Sequence, residues 1–199
     1  RKENNQYYNS LLSISDTDTK IFDKKILVPF GEFLPLRSLL NFFEKISGPN
    51  DYTEGKRNRF IKNANINYVP VICYEIIFYW RLFNNLNKDA EIIINITNDI
   101  WFGSMFGPYQ HLYLSKLRAA EFNKYLIRAS NNGISAIFDN KGKIIANTKL
   151  FEKTNLKKTI TAKIGENFYL SHNLLNIYFY TIFFILLLLN LQKIYGFKR

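Results

Sequence analysis

Val69-Pro70-Val71-Ile72-Cys73-Tyr74-Glu75-Ile76 decides how this chain is read. A β-branched apolar run ends on one thiol, and a carboxylate follows two positions later. Such a run predicts a buried strand, and the pattern of 76–86 predicts a helix after it. Cys73 then sits at the mouth of a strand, on a sharp turn, presented to a site while its backbone stays fixed. It is the only cysteine among 199 residues, so no internal disulfide is available to it and its value lies in packing or in reactivity. Both readings stand at this point, because free cysteine is commonly a small buried hydrophobe.

Working outward, Ile92 to Ile96 predicts a second, wholly apolar strand. Leu126 to Ala129 and Ile134 to Phe138 predict two more, and Asn140-Lys141-Gly142 turns the chain into Lys143 to Ala146. Tyr7 to Ile14 and Thr159 to Ile164 are the predicted strands nearest the two ends. Tyr109 to Lys124 predicts a helix whose packed face carries Tyr113, Leu114, Leu117 and Ala120, and Arg37 to Ile46 a shorter one. Gly48 to Asn65 is polar and basic, long for a loop in a compact domain, and loops of that length are often functional. Strands alternate with helices, which makes this an α/β chain with a mixed sheet.

The composition, 47% hydrophobic and 17% aromatic, excludes a disordered chain, and the length suits one domain with a substantial core. A net charge of +11 suits nucleic acid or an anionic membrane surface. The lysines are scattered, however, and no nucleic-acid module, phosphate-cradling glycine loop or zinc spacing appears, so neither nucleic acid nor a metal is expected. His111 and His172 are far apart and have no cysteine pair. The chain opens on Arg1 without a Met or a signal peptide, which reads as the C-terminal piece of something longer or as a broken reading frame.

Leu174 to Leu191 carries no charge and is interrupted only by Asn176, Thr181 and Asn190. It has about the length of a membrane-crossing helix. Tyr178 and Tyr180 suit an interfacial belt, and Lys193, Lys198 and Arg199 follow. The positive-inside rule then puts the C-terminus in the cytoplasm. The rival reading is a buried core helix.

Other segments bear on Cys73. Upstream stands Phe22-Asp23-Lys24-Lys25-Ile26-Leu27-Val28-Pro29-Phe30-Gly31-Glu32-Phe33-Leu34-Pro35. Downstream come Thr97-Asn98-Asp99-Ile100-Trp101-Phe102-Gly103, Gly107-Pro108-Tyr109-Gln110-His111, Arg118-Ala119-Ala120-Glu121 and Arg128-Ala129-Ser130-Asn131-Asn132-Gly133. In this order they resemble the nitrilase (carbon–nitrogen hydrolase) superfamily, and within it most closely the catalytic domain of the apolipoprotein N-acyltransferase family. The resemblance runs from about Tyr7 to the C-terminus.

It implies a nitrilase-like α-β-β-α sandwich, here partial, followed by one C-terminal transmembrane helix. The expected division is a catalytic domain over 1–168, a span over 174–192 and a basic cytoplasmic tail over 193–199. It also implies that Cys73 is the nucleophile and Lys24 the cation that favours the thiolate and steadies the oxyanion. Tyr74 contributes a backbone N–H to that oxyanion. Glu32 orients Lys24 or the thiol, Glu75 holds the elbow or contacts substrate, and Trp101 and Phe102 form an apolar wall. Asn98, Asp99, Arg118 and Glu121 are polar struts beneath the site. The family's general-base glutamate has no counterpart in this sequence.

The implied reaction moves a fatty acyl group from a phospholipid donor, through a Cys73 thioester, to the N-terminal amine of a diacylglyceryl lipoprotein. It takes place at the bacterial inner membrane with the catalytic domain on the periplasmic side, and needs no cofactor. The rival functions are a small-molecule amidase of the same superfamily and an inactive remnant lacking its base.

Overall fold

The computed structural model describes residues 1–199 apart from 17, 41–49, 63–65, 84–88, 162–173 and 196–199. In chain order its strands are β1 (Lys2–Glu3), β2 (Gln6–Tyr7), β3 (Ser10–Ile14), β4 (Thr19–Asp23), β5 (Ile61–Lys62), β6 (Asn67–Ile72), β7 (Ile92–Asn98), β8 (Tyr125–Asn131), β9 (Ala136–Phe138) and β10 (Ile144–Asn147). Its α-helices are α1 (Arg37–Leu40), α2 (Tyr79–Phe83), α3 (Gly107–Glu121) and α4 (Leu174–Tyr195), and 3-10 turns cover Cys73–Ile77 and Asp99–Phe102.

Six strands form one mixed sheet in the order β10-β9-β8-β7-β6-β5. Its centre, β6-β7-β8, is parallel, and its edges are antiparallel. Because both faces of the central strands are covered, their sequences read as nearly continuous apolar runs. Alternation assigns the faces. Val69, Val71, Ile93, Leu126, Ala136 and Phe138 join Ile76, Leu82, Ala119 and Phe122 in the cluster beneath α3. Tyr68, Ile72 and Ile92 join Leu11, Phe22 and Ile61 on the opposite face, where the β3–β4 hairpin packs. Pro70 is tolerated inside β6 because that stretch faces the side where the two-residue pairing with β5 has ended. Its carbonyl there accepts a hydrogen bond from Arg59 Nη1 at 2.9 Å.

Several expectations are corrected. The helix expected over 76–86 is a 3-10 turn, Cys73–Ile77, then a break at Phe78 and the short α2; 84–88 lie outside the described residues. The buried face of α3 is Pro108, His111, Ser115, Arg118 and Ala119. The expected face is largely outside it, with Tyr113 56% exposed, because α3 packs on a polar network rather than on a purely apolar floor. No strand forms at 159–161, and the rest of that expected strand lies outside the described residues, as does the part of the 37–46 helix beyond Leu40. Of the expected sandwich, the described residues form one helical layer, the large sheet and the β3–β4 layer.

α4 spans 22 residues, about 33 Å at the helical rise. Its described side chains, 177–191, are exposed throughout. Among the described residues no helix is long and apolar enough to cross a membrane. The expectation at 174–192 is met by the helix alone.

Candidate active site

The parallel β6 delivers Cys73 to the end of the sheet, where it takes φ +51°. A left-handed conformation costs a non-glycine residue about 1–2 kcal/mol, so something must hold it. Glu75 does so from within the same turn. Its Oε2 accepts the Ile72 N–H at 2.8 Å, which ties the residue before the thiol. Its Oε1 accepts the N–H groups of Lys25 at 2.8 Å and Ile26 at 3.1 Å. Arg59 closes on both oxygens, Nη1 to Oε2 at 2.8 Å and Nη2 to Oε1 at 2.6 Å, and its guanidinium lies over the Phe22 ring at 4.9 Å. One buried carboxylate thus joins the backbone just before Cys73 to the backbone just after Lys24.

Lys24 leaves the end of β4 and is 1% exposed. Its Nζ donates to Glu32 Oε2 at 2.6 Å. Glu32 is held in turn by Asn9 Nδ2 at 2.7 Å and the Val28 N–H at 2.8 Å. Lys25, next in the chain, contributes its backbone to Glu75 instead. Neither Glu32 nor Glu75 is idle: each carboxylate is already engaged by a cation and by amides, and Glu75 is fully buried.

The thiol is half-buried, and its Sγ lies 4.0 Å from the Asn98 carbonyl at the end of β7. Tyr74 follows Cys73 in the 3-10 turn, where the first amides have no partner within the turn, and its ring packs edge-on against Phe78 at 5.2 Å. Trp101 is 70% exposed and so is no core residue. Phe102 lies against the His111 ring at 5.0 Å.

Beneath the elbow the large sheet carries a buried polar network. Val71, Asn95 and Arg128 stand in one row across β6, β7 and β8. Asn95 donates to the Val71 carbonyl at 3.2 Å and accepts from Arg128 Nη1 at 2.8 Å. Arg128 Nη2 reaches Asp99 Oδ2 at 2.5 Å, and Nη1 reaches Ser115 Oγ at 3.2 Å. Asp99 Oδ1 meets Thr97 Oγ1 at 3.1 Å and His111 Nδ1 at 2.9 Å.

Burial alone pushes the Asp99 carboxyl up. The His111 hydrogen bond and the Arg128 charge more than offset this and bring it down to about 2. Burial lowers His111 from its ordinary value, and Asp99 resists. Burial also lowers Arg128, opposed chiefly by Asp99. The network is therefore an ionised Asp99–Arg128 pair with a neutral imidazole beside it. Among the described residues no three His, Cys, Asp or Glu side chains converge as a metal site.

The sequence model of carbon–nitrogen hydrolases matches residues 1–167. The chain belongs to the carbon–nitrogen hydrolase family. It is similar to the apolipoprotein N-acyltransferase of Rickettsia typhi, 40% identical over 162 residues, which cover 80% of this chain and 32% of that protein. It is similar also to the apolipoprotein N-acyltransferase of Pasteurella multocida, 37% identical over 180 residues, 84% of this chain and 34% of that one. The chain thus spans about a third of the length of the curated relatives it matches. A CN-hydrolase superfamily protein from Xanthomonas campestris shares the fold, with a TM-score of 0.56 and 16% identity over 76% of this chain and 57% of that one. The carbon–nitrogen hydrolase of Helicobacter pylori G27 does so with a TM-score of 0.57 and 15% identity over 77% and 56%.

The structure gathers Cys73, Tyr74 and Glu75 in one turn and ties Lys24 and, through it, Glu32 to that turn. Trp101 is exposed at the surface. Arg118, expected as a strut, pairs with Glu121 and donates from Nε to the Ile76 carbonyl at 2.8 Å. Sequence reading missed Arg59, Asn95, Arg128 and the network role of His111. Asn95, a lone amide inside an otherwise apolar strand, was the one signal available. The others become neighbours only through sheet register.

Proposed function

We propose that this chain is the catalytic portion of an apolipoprotein N-acyltransferase. Cys73 on its left-handed elbow, with the Lys24–Glu32 pair fastened to it, carries the reading, in a chain whose relatives bear that name. The Cys73 thiolate attacks the acyl ester carbonyl of a phospholipid. Lys24 and the Tyr74 N–H steady the oxyanion, the C–O bond breaks, and a lysophospholipid leaves with a proton. The N-terminal amine of a diacylglyceryl lipoprotein then attacks the thioester. The C–S bond breaks, an amide forms, and the amine proton restores the thiol. Glu32 orients Lys24, and Glu75 holds the elbow. Trp101 and Phe102 form an apolar wall for the acyl chain. Glu32 and Glu75 are engaged by cations and amides, so neither is assigned as the base that takes the thiol proton and returns it to the departing lysophospholipid; the reading gives that role to the upstream glutamate of the family.

The proposed division is a catalytic domain over 1–168, a membrane span over 174–192 and a cytoplasmic tail over 193–199. The domain would lie on the periplasmic face of a bacterial inner membrane. Support for the span comes from α4 itself: a helix apolar on every side suits lipid better than water. The test is the intact mass of the chain after incubation with phosphatidylethanolamine in mild detergent. A hydroxylamine-labile acyl adduct is expected on the wild type and not on Cys73→Ala. Lys24→Met is expected to suppress the adduct far more than Lys25→Met. An adduct that survives Cys73→Ala, or equal effects at the two lysines, would refute the assignment.

A further inference from the structure

The Asp99–His111–Arg128 network has one loose end. His111 is 2% exposed. Its Nδ1 is engaged by Asp99, but Nε2, on the far side of the ring, has no hydrogen-bond partner. A buried polar atom left unpaired is uncommon in a folded chain. The Cys73 backbone acts on the ring as an acceptor that works against the lowering of the His111 pKa by burial, and with Nδ1 taken by Asp99, Nε2 is the nitrogen left to meet it. The helix that carries His111 reaches the elbow a second time, about two turns on, where Arg118 holds the Ile76 carbonyl. Glu75 fixes the Ile72 amide on the other side. The two flanks of the turn are therefore pinned, and His111 stands at the strained residue between them. The groups around its ring are Asp99 from the 3-10 turn, Arg128 from β8, the Cys73 backbone and the Phe102 ring.

We propose that His111 is a positioning residue for the nucleophile. Through Nε2 it fixes the Cys73 backbone, and with it the direction from which Sγ meets an acyl carbonyl, while Asp99 fixes the ring through Nδ1. This inference rests on Cys73 being an acyl-accepting nucleophile, as proposed above, and not on which ester supplies the acyl group.

Glutamine places its terminal amide where Nε2 stands, whereas asparagine places it near Nδ1. The test compares His111→Gln and His111→Asn in the full chain. Release of p-nitrophenolate from a p-nitrophenyl ester reads acylation, and iodoacetamide alkylation reads thiol exposure. Cys73 is the sole cysteine, so both report on it alone. His111→Gln is expected to retain acylation to within about threefold, and His111→Asn to lose about ten- to a hundredfold. Both should alkylate at the wild-type rate. Equal loss in the two variants, no loss in either, or better activity in asparagine would overturn the proposal, since each leaves Nε2 without a role.

Should the asparagine variant not fold, the wild type still decides. The ¹⁵N resonance of His111 Nε2, assigned with His172→Gln as reference, must move when Cys73 is alkylated; a fixed resonance refutes the contact. Acylation by the p-nitrophenyl ester without any adduct from phosphatidylethanolamine would refute the lipid donor alone. No acylation of the wild type by either would overturn both.

Discussion

Glu75→Gln tests the joint on which the site depends. The substitution keeps the shape and removes the charge. Arg59 and Glu75 have side-chain exposures of 1% and 0%, so the guanidinium would remain buried without its counter-charge, a loss of about 3–5 kcal/mol. Glutamine also turns one acceptor into an NH₂ donor. That group must face either the Ile72 amide or the Lys25 and Ile26 amides, which are donors themselves. Each buried amide left without an acceptor adds about 1–3 kcal/mol. Against a total stability of about 5–15 kcal/mol, the fold would lose a third or more.

For a chain of this size the melting midpoint should fall by about 10 °C or further. Thermal and urea unfolding followed by far-UV circular dichroism read the change. The double variant Arg59→Met/Glu75→Leu separates the two parts. Replacing a buried ion pair by apolar residues is often neutral, so recovery to wild type would show that the pair alone mattered. Recovery of less than half is expected, because the three backbone amides stay unanswered. Glu75→Gln within about 1 kcal/mol of wild type would refute the reasoning.

Two further predictions follow from the network. A Cβ on Gly133 would meet Asp99 Oδ2 at 2.1 Å and Ser130 Oγ at 2.2 Å. Asp99 cannot retreat without opening its pair with Arg128, so Gly133→Ala should cost about 3–5 kcal/mol in urea unfolding; a loss below about 1 kcal/mol would contradict the packing. Asp99 is held at about 2, against 3.8 ordinarily. Its contribution of about 2 kcal/mol is present above the ordinary value and lost as pH falls through the folded one. His111 acts in the same direction, since below its ordinary 6.5 the unfolded chain takes up the proton more readily than the fold. The melting midpoint should therefore fall continuously as pH drops from about 6 to about 2, with the upper part of the slope absent in His111→Gln. A midpoint flat over that range would contradict the charge assignment.

What was legible in the sequence was what local pattern encodes. Val69 to Ile72 and Ile92 to Ile96 are strands because β-branched runs suit a sheet covered on both faces, and their neighbours in the fold are those the alternation requires. The turn after Cys73 was misread. An apolar run there satisfies helical spacing, but the left-handed Cys73 and the carboxylate of Glu75 drawn back to the Ile72 amide close a tighter turn. The packed face of α3 was misread for a related reason. Hydrophobic spacing points to Tyr113, Leu114, Leu117 and Ala120, whereas the helix buries His111, Ser115 and Arg118. Polar groups are admitted to that interior only because Asn95, Asp99 and Arg128 await them. The row Val71–Asn95–Arg128 is set by strand register, and no spacing along one chain reveals it. Lys24 and Glu32 were visible as a motif, but their tie to Cys73 was not, because it runs through Glu75 and Arg59.

The β3–β4 hairpin has a kinetic consequence. Among the described residues it pairs with itself alone, Ser10 opposite Asp23 through Ile14 opposite Thr19, and shares no backbone ladder with the sheet that presents Cys73. Lys24 and Cys73 are therefore joined through the side chain of Glu75 and not through strand pairing. The hairpin should open as a foldon of its own, with amides that exchange with deuterium well before those of β7. Each such opening would part Glu75 from the Lys25 and Ile26 amides, so the chain can lose the proposed pairing of Lys24 with Cys73 while the large sheet stays folded.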